Sequence, residues 1–332
     1  MSGKRIMWAV ATPADIVGRV ADKVVQLLTA MNAELEIFSC VFDAEIARPG
    51  RFASRGAQLD IREIVETLHG QLEHNAEPLR RRGLTVRTSV RWDSPAYEGI
   101  VRQVLRHRPD LLIVQSRRKG RAARAVLAQT DFKLIETCPC PLLLIKSARP
   151  YARARVVAAL DPTHAHAKPA SLDGAIVEAA RSAARALSAE LVLFHARIPW
   201  DEVVRDQPAL QHVSPAEEAD VQSAYWRTVE ARIREVARQH QVGRARTHIE
   251  DGNAEERLPA FIRSEGVDIV AMGAVSRSLA KRIFIGHTAE RLLDALHCDV
   301  LVAKPPDFRS PVPRGSAHRT DRSAALGGRY VF

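Results

Sequence analysis

A doubly wound α/β fold, present twice in tandem, is the architecture that this sequence predicts. Three observations carry the prediction. Short all-apolar runs bounded by polar residues, such as Ile6 to Val10, Leu111 to Val114 and Val300 to Val302, suit strands buried on both faces of a parallel sheet. Amphipathic stretches of helical period separate them, and strands that alternate with helices require a sheet covered on both sides. The third observation is repetition. Asp110, Thr130 and Cys140 recur as Asp268, Thr288 and Cys298, each 158 residues on, and Ala33 to Phe38 matches Ala189 to Phe194. A module of about 150 residues, the usual size for one core, is therefore copied.

In the first repeat, strand one is Ile6 to Val10, and Val17, Val20, Ala21, Val24, Val25 and Leu28 form one face of the helix after it. Leu35 to Val41 is strand two. Residues 44–56 read as a mobile loop. A long helix with Ile61, Ile64, Val65, Leu68, Leu72 and Leu79 inward follows and stops at Gly83. Strand three is Leu84 to Trp92. Ser94 and Pro95 stand in cap and first-turn order for the next helix, whose buried face is Tyr97, Ile100, Val101, Val104 and Leu105. The strand after Asp110, a helix capped by Thr130 and the strand Leu142 to Ile145 complete the module.

The second repeat retraces this order. Val156 to Leu160 and Leu191 to Ala196 are strands one and two, with an alanine-rich helix between them. A loop runs through Pro199 and Pro208 to a helix from about Pro215 to His240. Arg246 to Ile249 is strand three. Asn253 and Glu256 are placed for a capping box, and Pro259 should bend the helix that they open. Right-handed crossovers then leave few topologies, and five parallel strands of order 3-2-1-4-5 with four helices are expected in each repeat. Residues 1–148 and 153–304 are the two domains. Residues 305–332 form a basic tail without periodicity, expected to be disordered.

Of 332 residues, 46% are hydrophobic, enough for two cores of ordinary size. No apolar stretch approaches the roughly 20 residues that a bilayer crossing needs, and no secretory signal peptide is evident, so a cytoplasmic chain without a membrane partner is expected. The net charge of +10 is spread over Arg117 to Arg124, Arg149 to Arg155 and the tail. Without a zinc finger, helix-turn-helix or aromatic-interleaved basic stripe, it argues against specific nucleic-acid binding. Cys138 and Cys140 are too close in sequence for a usual zinc hairpin, and Cys140 and Cys298, just before the last strands, read as small buried residues.

At Arg91-Trp92-Asp93 through Lys146 and at Val270 through Pro305, the chain resembles the universal stress protein family. Its tandem, UspE-type members are the most similar, over nearly the whole chain. Gly286-His287-Thr288-Ala289-Glu290, then Cys298-Asp299-Val300-Leu301-Val302-Ala303-Lys304-Pro305, carry the likeness most specifically. The resemblance implies flavodoxin/Rossmann-like domains of the adenine nucleotide alpha hydrolase-like kind in a cytoplasmic stress-response protein. It further implies resistance to DNA-damaging and oxidative stress by a non-enzymatic adaptor or regulator. The alternative is an ATP- or AMP-binding switch, or a slow ATPase, working through the second domain.

ATP-binding members of that family carry Gly-x2-Gly-x9-Gly-(Ser/Thr) after strand four and an acid after strand one. Glycines admit the phosphates to backbone N–H groups, and the acid takes a polar edge of the nucleoside. Carried onto the second repeat, Gly273 and Gly286 match the first and third glycines and Asp161 the acid. Ser276 replaces the second glycine, and His287 stands in the hydroxyl position with Thr288 beside it. The first repeat departs from the pattern throughout, with Ala11, Gln115, Arg118 and Ala128 at the corresponding places.

Alternatives stay open at these positions. Asp161 is a nucleoside ligand or the cap of its own Asp161-Pro162-Thr163 turn. Gly273 and Gly286 serve phosphate or only a tight turn, and Thr288 caps a helix whatever binds there. His164, His166 and His195 lack the nearby carboxylates that a metal site would add. No catalytic constellation is present, so no enzyme is expected, and an adenine nucleotide in the second domain is the one cofactor class implied. Leu142 to Ile145 and Val300 to Val302 are apolar edges expected to face each other as an internal pseudo-dimer. A homodimer of chains is the further association considered.

Overall fold

The computed structural model describes residues 3–48, 54–116, 130–151, 154–162, 171–214, 216–242, 246–273, 292–293 and 295–315. Contacts divide the chain into two units: Met1–Tyr151 together with Arg309–Phe332, and Ala152–Phe308.

Unit one runs β1 (Lys4–Val10), a 3-10 turn (Pro13–Ile16), α1 (Arg19–Met31), β2 (Ala33–Val41), α2 (Arg55–Arg81), β3 (Val86–Trp92), α3 (Ala96–His107), β4 (Leu111–Gln115), α4 (130–137) and β5 (Leu142–Ile145). Its strands lie in the order β3-β2-β1-β4-β5, all parallel. Trp8, Phe38, Leu112 and Ile113 are fully buried on the central strands, as runs apolar on both faces require. Ala21, Val24, Val25 and Leu28 of α1 are buried as their periodicity predicts, whereas Val20 is half-buried and Val17, expected on the same face, precedes the helix and is 61% exposed. The long helix differs along its length. Leu72, Ala76 and Leu79 are buried, whereas Ile61, Ile64, Val65 and Leu68 are half-buried. Gly83, at φ +84°, closes α2: its N–H reaches the Arg80 carbonyl at 2.8 Å, and that of Leu84 reaches Leu79.

Unit two repeats the plan with β6 (Arg155–Ala159), α5 (Leu172–Ala186), β7 (Glu190–Arg197), α6 (Trp200–Asp206), α7 (Glu218–Gln239), β8 (Thr247–Asp251), α8 (Ala254–Glu265), β9 (Ile269–Gly273) and β10 (Asp299–Ala303). The order is β8-β7-β6-β9-β10, again parallel, so the fold class is the one the sequence predicts in both repeats.

The copies share a detail that composition would not reveal. In unit one the Asp110 carboxylate accepts the Arg5 N–H at 2.8 Å, while the Asp110 N–H donates to the Arg5 carbonyl at 2.7 Å. In unit two Asp268 and Arg155 make the same reciprocal pair, at 3.2 and 3.0 Å. The aspartate before strand four thus pins the start of strand one. Asp110→Ala and Asp268→Ala are each expected to cost about 1 kcal/mol in urea denaturation, the net worth of one such bond.

Several local expectations need correction. The helix after β3 starts one residue later than read. Pro95 is its N-cap, following a cis Ser94–Pro95 peptide, and no side chain caps the first turn; the Ser94 N–H donates to the Asp93 carboxylate at 2.8 Å. Asn253 makes no capping box; its amide turns to Glu202 at 3.4 Å, and only its carbonyl serves the first turn. The Pro199–Pro208 loop contains α6 and a 3-10 turn where no helix was expected, and the helix after that loop begins at Glu218. The expected disordered tail is structured at its start. Val312 is buried, and the Pro313 carbonyl accepts Nε of Arg102 at 3.1 Å. The cause is Arg102, a buried guanidinium that needs an acceptor beyond its two acids, Asp93 and Glu98. Residues 316–332 lie outside the described residues.

Candidate functional site

In unit two the register Val156↔Ile269 through Ala158↔Ala271 brings the carboxyl ends of β6 and β9 level. β6 pairs β7 on its other side, so the connections leave this edge in opposite directions, the place where open α/β sheets bind ligands. Asp161, just beyond β6, and Gly273, closing β9, both stand there. The structure thus brings together two of the residues singled out from sequence. Ser276, Gly286, His287 and Thr288 lie outside the described residues, as do His164 and His166.

The half-buried Asp161 faces α7. Arg232 donates from Nη1 to the Pro162 carbonyl at 3.1 Å, fixing the turn that carries the acid. Burial pushes the Tyr225 phenol above its ordinary range; Gln207, donating to it at 3.2 Å, opposes the shift and the Asp161 carboxylate adds to it. Among the described residues the edge therefore offers the Asp161 carboxylate, the Arg232 guanidinium and the Tyr225 phenol. His195, buried on β7, has Nδ1 at 3.0 Å from the Leu160 carbonyl, a contact that makes Nδ1 the protonated nitrogen. Among the described residues no group of three metal-ligating side chains occurs.

Gly273 has a packing reason to be glycine. A Cβ there would stand 2.7 Å from Leu172 Cδ2 and 3.1 Å from Ile176 Cδ1, because α5 crosses the end of β9 closely.

Sequence reasoning missed an aromatic cluster beside this edge. Trp200 of α6 packs edge-on against Tyr225 at 5.7 Å between centroids, and Tyr225 against Trp226 at 4.9 Å. Arg197, ion-paired with Asp251, lies over Trp226 at 5.1 Å. A signal was present: Asp201 and Glu202 in a first turn after Pro199 form a helix-start signature, obscured by the flanking prolines.

Unit one is built differently at the same edge. Ala11 stands where unit two has Asp161, and Asp15 turns back into the loop. Its carboxylate accepts the N–H groups of Ala11 and Thr12, each at 3.0 Å, and the Thr12 hydroxyl at 3.1 Å. The amide donors that an incoming anion would use are occupied by the chain's own carboxylate. An open groove of about 590 Å³ lies farther out, between Thr12–Ala14 and the α2 residues Thr67, Gly70, Gln71 and His74.

At the end of β4, Ser116 donates to Asp131 of α4 at 2.7 Å. Burial pushes this carboxyl up from 3.8 to about 6, against the opposing pull of Ser116 and Lys146. The folded state therefore holds a proton that the unfolded chain has released, and stability falls as pH rises from about 4 to about 6. Asp131→Asn is expected to flatten that slope, worth about 1–3 kcal/mol, in urea titrations across the interval.

Comparison with known proteins agrees with this architecture. The model of the universal stress protein family matches residues 4–146 and 154–304. Universal stress protein E of Photorhabdus laumondii is 23% identical over 235 residues, covering 69% of this chain and 72% of that protein. Its counterpart from Escherichia coli strain K12 is 24% identical over 234 residues, with the same coverage of 69% and 72%. Among solved structures, a functionally unknown protein of Pseudomonas aeruginosa PAO1 superposes with a TM-score of 0.63 at 23% identity, over 92% of this chain and 94% of that one. A universal stress protein from Archaeoglobus fulgidus gives 0.54 at 14% identity, over 91% and 97%. These likenesses between structures show the fold. Two family segments in one polypeptide, each with five parallel strands in the same order, place the chain in the universal stress protein family as a tandem member of the E type.

Proposed function

We propose that the chain is a non-catalytic regulator of the stress response, and that its second unit alone takes an adenine nucleotide. The asymmetry of the loops after β1 and β6 carries the proposal. In unit one the Asp15 carboxylate occupies the amides of Ala11 and Thr12. In unit two Asp161 stands at the edge beside Tyr225 and Arg232, with Gly273 on the neighbouring strand. A carboxylate suits the hydroxyl or amino edge of a nucleoside, and a guanidinium suits phosphate. Regulation is favoured over hydrolysis because Asp161, Tyr225 and Arg232 make no nucleophile–base pair. The role against DNA-damaging and oxidative agents that the resemblance implies is the cellular side of the same proposal.

Equilibrium dialysis with labelled ATP tests it. One nucleotide per chain is expected, lost in Asp161→Ala and retained in Asp15→Ala. Two nucleotides per chain, or binding indifferent to Asp161, would refute it. Phosphate release above the buffer rate, removed by Asp161→Ala, would favour the slow ATPase instead.

A further inference from the structure

The bend between α4 and β5 places two thiols together. Cys138 ends α4, its N–H donating to the Leu134 carbonyl at 2.9 Å, and Cys140 follows after Pro139. Their sulfurs are 3.6 Å apart. The bend is anchored, because the Pro141 carbonyl accepts the Leu112 N–H of β4 at 2.9 Å. Cys138 is fully buried and Cys140 half-buried, so a small oxidant approaches from the Cys140 side.

The second unit shows what packing alone requires here. The residues 158 positions on from Cys138 and Cys140 are Leu296 and Cys298. Leu296 is fully buried, like Cys138. A buried leucine fills this position in one copy, and a thiol beside a second thiol fills it in the other. Apolar packing accounts for the leucine and leaves the sulfur pair unexplained.

We propose that Cys138 and Cys140 are a reversible oxidation site, closing to an intramolecular disulfide when a peroxide reaches Cys140. The chemistry balances. The Cys140 sulfur attacks one peroxide oxygen, the O–O bond breaks, and a sulfenic acid and one water result. The Cys138 sulfur then attacks the sulfenic sulfur, the S–O bond breaks, and its proton leaves with the departing oxygen as a second water. Two electrons pass from the sulfur pair to one hydrogen peroxide. Closing the sulfurs from 3.6 Å to the roughly 2.05 Å of a disulfide is an adjustment within the bend. The hydrogen bond that the protonated Cys140 thiol shares with Cys138, together with burial, holds its pKa well above the ordinary value, so the pair oxidises slowly and needs excess peroxide. Cys40 is set apart, its thiol donating to the Asp93 carbonyl at 3.3 Å and pushed up to about 12 by burial.

The test uses the full-length reduced chain, treated with hydrogen peroxide, alkylated and weighed intact, followed by peptide mapping. The expected result is loss of two hydrogens, a link between Cys138 and Cys140, and full reversal by dithiothreitol. Cys138→Leu, which copies the residue of the second unit, is expected to abolish the link without unfolding the chain, and Cys40→Ser to leave it intact. Oxygen addition at Cys140 without a link, a link involving Cys40 or Cys298, or four unmodified thiols after excess peroxide would each overturn the proposal.

Discussion

Arg102→Ala is expected to lower the stability of unit one by about 3–5 kcal/mol, the largest loss for any single side chain considered. Arg102 and Asp93 are 2% and 4% exposed, and the guanidinium bonds Asp93 at 2.7 Å. It also pairs with Glu98 and reaches the Pro313 carbonyl. Removing the cation leaves a buried carboxylate with no compensating charge, which costs far more than the pair contributes net. Arg102→Leu combined with Asp93→Leu is therefore expected to cost less than the sum of the two single changes. Urea denaturation measures both. Arg62→Ala, which removes an exposed pair with Glu66 whose side chains are 75% and 66% exposed, should fall within about 0.5 kcal/mol of the parent. A small loss at Arg102 would show that the network is not buried as described.

Gly273→Ala follows, at about 1–3 kcal/mol, localised to unit two. The added methyl meets Leu172 Cδ2 at 2.7 Å and Ile176 Cδ1 at 3.1 Å, and Leu172 is itself buried, so neither neighbour gives way freely. Pairing Gly273→Ala with Leu172→Ala should recover part of the loss, because the obstacle is removed with it. This result bears on the site. A substitution at Gly273 disturbs packing whether or not phosphate is near, which makes Asp161 the sounder residue for binding measurements.

The parallel sheets were legible in the sequence because buried strands declare themselves as uninterrupted apolar runs, as in Ile6 to Val10 and Val300 to Val302. The handedness of crossovers left few strand orders to choose from. What escaped the reading was decided by tertiary competition for hydrogen bonds. Ser94 is a good cap by type, yet the helix starts one residue later with no side-chain cap, and the Asn253 amide turns to Glu202 rather than to its own helix. Polar clusters were harder still. Arg102, Glu98 and Asp93 look like ordinary surface charges until β3 and α3 bury them together. At the carboxyl edge of unit two, the positions of Asp161 and Gly273 were readable from the strand pattern. Asp15 stands in a readable helix-start signature, Thr12-Pro13-Ala14-Asp15, but that motif does not reveal that its carboxylate also takes the Ala11 N–H. The place of Tyr225 beside Asp161 depends on where α7 crosses the sheet.

The central claim is that one α/β module occurs twice and only the later copy accepts a nucleotide at its carboxyl edge. Hydrogen–deuterium exchange on the intact chain, with and without saturating ATP, tests it most directly. The account predicts added protection in peptides covering Leu160 to Pro162 and Met272 to Gly273, and unchanged exchange in those covering Ala11 to Asp15. Protection at Ala11 to Asp15, or no change at either edge under saturating nucleotide, would contradict it.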